Sequence, residues 1–113
     1  MKFLPQRLPI ASFGGGGFRF GSHSHFGSLL ILPSGMRAWD GIDFSQLIAE
    51  NSDFDFVLLG TGVDMKRPTK TVAAVFAANN LALDFMNTSS AVHTYNVMLA
   101  EGRRVAAALL AVP

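Results

Sequence analysis

From residue 54 onward the chain alternates between strand-like and helix-like hydrophobic spacing, and that order limits its fold more than any other feature. Residues 54–59 are a nearly uninterrupted apolar run, broken by Asp55 and closed by Gly60, Thr61 and Gly62, which reads as a buried strand. Residues 68–78 place Val72, Val75 and Phe76 at helical spacing, with Pro68 at the start and Asn79 and Asn80 at the end. Residues 81–86 read as a second strand. Residues 90–101 read as a longer helix stopped by Gly102, with Ala91, Val92, Tyr95, Met98 and Leu99 on one face. The alanines of residues 105–112 would favour a helix by propensity alone. The Gly102 stop and the preceding order favour a buried closing strand instead. The second half is thus β-α-β-α-β. Such units give parallel neighbours, so the fold class predicted is α/β.

The first half is less regular. Residues 1–12 read as an extended lead-in, and residues 13–113 as one domain. Phe18, Arg19 and Phe20 alternate as a half-buried strand. Residues 21–24 read as a turn, and residues 29–32 as a strand stopped by Pro33. The two strands read as a hairpin, with a short strand at residues 36–39 behind it. Asp43 looks like an N-cap with Gln46 as its capping-box partner, and Asn51 would close this short helix in the left-handed region.

Composition removes whole classes of function. Half the residues are hydrophobic and 15% are charged, so disorder is excluded and a real core is expected. A net charge of +1 leaves no polyanion footprint, which argues against nucleic acid. The absence of cysteine rules out disulfides, a thiolate nucleophile and cysteine metal sites. The N-terminal residues lack the uninterrupted apolar run of a secretory signal, because Pro5, Arg7 and Pro9 break it. No apolar run approaches the ~20 residues that span a bilayer. The expectation is a cytoplasmic bacterial protein with no direct membrane insertion.

The parallel order brings two loops together. Gly60, Thr61 and Gly62 follow one strand; Asn87, Thr88, Ser89 and Ser90 follow the next and open a helix. Ligands of open α/β sheets sit at that strand-end edge. Tyr95 and Asn96 lie further along the same helix. Tyr95 falls on the apolar face, so its hydroxyl needs a partner, and a mid-helix Asn96 implies a hydrogen-bond network. Gly60, Thr61, Gly62, Asn87, Thr88, Ser89, Tyr95 and Asn96 are therefore the candidate ligand-binding residues. The glycine turn fits neither G-x-x-x-x-G-K-[ST] nor G-x-G-x-x-G. A plain turn beside a solvated basic patch, formed by Lys66, Arg67 and Lys70, competes with an anion-binding role. Asn87 through Ser90 cap the next helix under either reading, and capping alone suffices to explain them. His23, His25 and His93 lack a carboxylate or metal-ligand pattern, and no serine triad spacing is present. No catalytic residue, metal or cofactor is assigned. Phe13, Phe18, Phe20, Phe26 and Trp39 make the first half aromatic, either as core or as a partner surface.

The segments GGFRFG, SLLILP, LLGTG and NTSSAVHTYNVMLAEGRRVAAALLAV resemble the Mth-like domain family over residues 13–112. Thr94, Tyr95 and Asn96, with Glu101 through Val105, are the most specific part of the match. The resemblance implies a three-layer α/β fold, with a mixed central sheet and an added β-hairpin element. It attaches no firm catalytic activity. Its mitochondrial members imply a role in assembling respiratory complex I. The reading favours a non-enzymatic interaction or assembly module with a protein partner. The alternative is a small ligand-binding protein or enzyme acting on an anionic metabolite at the strand-end cleft.

Overall fold

A computed structural model describes residues 3–113; Met1 and Lys2, at the start of the expected lead-in, lie outside the described residues. The elements follow the order β1 (Phe3–Leu4), β2 (Ser12–Gly14), β3 (Gly17–Phe20), β4 (His23–Phe26), β5 (Leu29–Leu32), β6 (Gly35–Ala38), α1 (Ser45–Ala49), a 3-10 turn (Asn51–Asp53), β7 (Phe56–Gly60), α2 (Lys70–Ala78), β8 (Ala82–Met86), α3 (Thr88–Ala100) and β9 (Val105–Leu109). Six strands form one mixed sheet in the order β1-β6-β5-β9-β7-β8, and the other three form a small antiparallel sheet, β2-β3-β4.

The closing strand β9 is central. It pairs parallel with β7 and antiparallel with β5, and all five of its residues are buried. Both of its faces are covered, which is why an alanine-rich segment is a strand here: small side chains suit a position enclosed on both sides. Alternation splits the core into two. Leu29, Ile31, Leu58, Val105, Ala107 and Leu109 face α3 and the small sheet, together with Phe18, Phe20, Val92 and Tyr95. Leu30, Leu32, Val57, Leu59, Ala106 and Ala108 face α1 and α2, with Trp39, Leu47 and Phe76. The result is three layers with helices on both sides of a mixed sheet, as the fold class requires.

The structure corrects several local expectations. β3 does not pair with β5: it lies between β2 and β4, while β5 pairs with β6 and β9. Residues 23 and 24, expected within the turn at 21–24, open strand β4 (His23–Phe26). Its polarity is inverted, with His25 buried and Phe26 86% exposed, so the polar run concealed the strand. Asp43 is not the N-cap of α1. The cap position is Phe44 without a side-chain bond; Asp43 instead accepts the Ser45 N–H at 2.9 Å, and the Gln46 carboxamide donates to Glu50. Asn51 opens the 3-10 turn, and the left-handed residue is Asn80, at φ 55° after α2. α2 begins two residues after Pro68, with the Thr69 hydroxyl accepting the Val72 N–H.

The segment expected as a lead-in is fastened to the domain. β1 pairs with β6. The Tyr95 hydroxyl donates to the Leu8 carbonyl at 2.7 Å. Asn96 Oδ1 accepts the Ile10 N–H at 2.8 Å, and Asn96 Nδ2 donates to the Ile10 carbonyl at 2.9 Å.

Candidate functional site

The parallel register sets Gly60 beside Met86, so the two expected loops emerge at one edge of the sheet. They are tied to each other there. Thr88 is completely buried. Its N–H donates to the Gly62 carbonyl at 2.8 Å, and its Oγ1 accepts the Gly62 N–H at 3.0 Å while donating to the Leu110 carbonyl at 2.8 Å. The Thr61 N–H donates to the Met86 carbonyl. Its hydroxyl donates to the Asp64 carbonyl at 2.7 Å and accepts the Lys66 N–H. Gly60 sits in a close-packed spot: a Cβ there would stand 3.0 Å from Leu109 Cδ2 and 3.1 Å from Thr88 Oγ1, so a larger residue would push these neighbours back. The Asn87 side chain caps α3 through the Ser90 N–H at 2.8 Å. The chain beyond β9 joins the same knot, with the Leu110 N–H donating to the Gly60 carbonyl and the Ala111 N–H to Ser28 Oγ.

The open space lies to one side of this knot. A cleft of about 390 Å³ runs between α3 and the segment leading into β2. Ser89, Val92, His93 and Asn96 form its helical wall at i, i+3, i+4 and i+7 spacing; residues 10–13 form the other wall. Two expected site residues, Ser89 and Asn96, therefore reach the cleft. Gly60, Thr61, Gly62 and Thr88 lie in the knot, Asn87 caps the helix, and Tyr95 is in the core. Burial pushes the Tyr95 hydroxyl far above the ordinary tyrosine range. It stays protonated and acts as a donor to Leu8.

A second hollow of about 270 Å³ adjoins the first through Ser12 and Phe13. It lies on the small sheet over Gly14 and Gly17, flanked by Arg19 and Phe26. Gly17 is fixed by the close approach of β4: a Cβ there would fall on the His25 carbonyl. The buried His25 ring sits 2.9 Å from the Ser28 carbonyl through Nε2. Phe26 projects into solvent from this ordered strand, and Phe13 is partly exposed beside it. None of the residues lining either hollow is acidic. Among the described residues no group of histidines and carboxylates is arranged to hold a metal ion. His93 and Ser12 are the polar cleft residues that the candidate list missed. His93 could be placed from helical spacing once Ser89 was known; Ser12 lies on a strand of three residues that leaves no periodic signal.

A family model described as a protein of unknown function (DUF498/DUF598) matches residues 10–110. The chain belongs to this family. An uncharacterized protein of Rhodobacter capsulatus is 39% identical over 107 residues, covering 94% of this chain and 86% of the relative. The rat NADH dehydrogenase [ubiquinone] 1 alpha subcomplex assembly factor 3 is 28% identical over 119 residues. That match covers 97% of this chain and 64% of the assembly factor, so the chain spans less than two thirds of that relative. A crystal structure described as an outer membrane protein from Bartonella henselae superposes with a TM-score of 0.90 at 39% identity, covering 96% of this chain and 98% of the other. The Mth938-like domain of Bordetella pertussis, at 19% identity, shares the fold with a TM-score of 0.70, over 91% of this chain and 85% of the other. These matches place the chain among Mth-like domains with complex I assembly-factor relatives. No helix among the described residues is long and apolar enough to cross a membrane.

Proposed function

We propose that this chain is a non-enzymatic docking module that assists the assembly of a larger protein complex, with a membrane respiratory complex as its client. The observation that carries this reading is Phe26, 86% exposed on a sheet strand beside the cleft, in a chain similar over nearly its whole length to a complex I assembly factor. Phe26 does not stand alone: Phe13, also exposed, lines the same hollow, and adjacent exposed aromatics on a rigid sheet offer an apolar contact surface at little entropic cost. The module would work from the cytoplasmic side, without inserting into the bilayer. The description of the Bartonella neighbour points to the outer membrane instead, and cell fractionation decides between the two locations.

The test is affinity capture of the tagged full chain from native membranes after cross-linking. Recovery of subunits of one respiratory complex, lost with Phe26→Ser, supports the reading. Recovery of none, or recovery unchanged by Phe26→Ser, refutes it.

A second reading has one observation in its favour: Ser89 and Asn96, both candidate ligand-binding residues, line the same cleft as His93. A thermal-shift screen against anionic metabolites tests it. A melting temperature raised in the wild type and not in His93→Ala would support a ligand role.

A further inference from the structure

The side chain of Asn96 treats Ile10 as a neighbouring strand would. Its carboxamide accepts from the Ile10 N–H and donates to the Ile10 carbonyl, at 2.8 and 2.9 Å. One amide group thus stands where a peptide unit of another strand would pair. This shows which way the edge faces: the outward backbone groups on this side of β2 look toward α3.

The next outward groups belong to Phe13. Gly15 and Gly16 both have positive φ, 60° and 85°, so β2 and β3 are joined by a type I′ turn. In such a hairpin the flanking pair, Gly14 and Gly17, exchanges the narrow hydrogen bonds. The next pair, Phe13 and Phe18, is then the non-hydrogen-bonded type. The N–H and C=O of Phe13 consequently point away from β3. Further back, the Ala11 N–H turns inward to the Arg19 carbonyl at 2.8 Å. β2 is an outer strand of its sheet, and the cleft lies along it with Val92 as an apolar floor and Ser89 and His93 on the far wall.

We propose that this groove receives an extended acidic segment of a partner protein, which adds to β2 as a further strand of the small sheet. The inference rests on the docking reading above and names the chemistry of the partner. The N–H and C=O of Phe13 supply two main-chain hydrogen bonds that fix the register, and side-chain contacts supply the rest of the affinity and the selectivity. One set of side chains would face Val92 and Phe13. The acidic character follows from charge: Arg19 is the charged side chain among the residues lining the two adjoining hollows, and none of the chain's eight carboxylates lines them. Arg19 lies directly across from Ser12 and lines the adjoining hollow. It can pair with a carboxylate leaving the cleft.

The probe is an acetylated and amidated octapeptide of alternating valine and glutamate, titrated into the isotopically labelled full chain. Backbone amide shifts should be confined to residues 10–14 and 89–96. A valine–lysine octapeptide should bind about tenfold more weakly, and so should a backbone N-methylated valine–glutamate peptide. Phe13→Pro removes the outward N–H without touching a bond to β3, so the fold is retained; binding should fall about tenfold below that of Phe13→Ala, which keeps the N–H. Shifts centred on β8, equal binding of the acidic and basic peptides, or no localised shifts at millimolar peptide would overturn the proposal. If the peptide is refused while membrane subunits are still captured, the groove inference falls and the docking reading stands. If capture fails as well, both fall.

Discussion

Replacing Thr88 by valine separates the strand-end knot from the docking cleft. Valine has nearly the shape of threonine, so the packing survives and the hydroxyl is lost. That hydroxyl sits at zero exposure, donating to the Leu110 carbonyl at 2.8 Å and accepting from the Gly62 N–H at 3.0 Å. Its removal orphans one acceptor and one donor, each at ~1–3 kcal/mol when burial denies water access. The expected loss is ~2–4 kcal/mol, inside the ~5–15 kcal/mol that a domain of this size has in hand, so the variant still folds. Urea unfolding should show a lower midpoint with an unchanged slope. The melting temperature should fall by ~8–16 °C, at ~4 °C per kcal/mol. Thr88→Ser keeps both bonds and loses one buried methyl, at ~1 kcal/mol. A Thr88→Val variant within ~0.5 kcal/mol of wild type, or a serine variant equally damaged, would refute the assignment of this edge as a hydrogen-bonded knot.

Other perturbations have defined outcomes. Asn96→Ala removes both bonds to Ile10 and should cost ~2–3 kcal/mol in urea unfolding, with amide exchange rising first in residues 8–12. Asp84 is exposed at the middle of the outer strand β8; Asp84→Val removes a charge that discourages edge pairing, and light scattering should show faster association. Burial pushes the Glu50 carboxyl upward, but hydrogen bonds from Ser34 and Gln46 and the nearby Arg37 hold it below the ordinary glutamate range. A lowered folded-state value means stability that is full above the unfolded value and lost as pH falls through the folded one. Glu50→Gln should therefore flatten the acid limb of stability against pH, and an unchanged limb would contradict the assignment.

The second half of the chain was legible because periodicity and topology agree there. Strand, helix and strand of suitable lengths leave the glycine turn and the Asn87 cap at one edge. Mid-helix Asn96 was a sound signal because it breaks local propensity, and its bonds to Ile10 explain why. Which segment it would hold could not be read, since the partner lies 86 residues away. The small sheet was misread because β4 reverses the usual pattern, with His25 inward and Phe26 outward. Alternation of apolar residues finds strands whose apolar side is buried; it fails where the apolar side chain faces solvent. That reversal is also the feature that points to a docking surface. The capping box failed because Gln46 is drawn to Glu50 Oε2 at 3.0 Å, a contact one helical turn away that competes with the cap.

The central claim, that this chain assists assembly through the β2–α3 cleft and Phe26, is tested most directly in the native host. The gene is deleted and replaced in turn by wild type, Thr88→Ser and Phe13→Pro, and assembled respiratory complex I is quantified on native gels of membranes. Deletion should lower the assembled complex, with wild type and Thr88→Ser restoring it and Phe13→Pro failing at equal protein level. Unchanged assembly on deletion, or full restoration by Phe13→Pro, would contradict the claim.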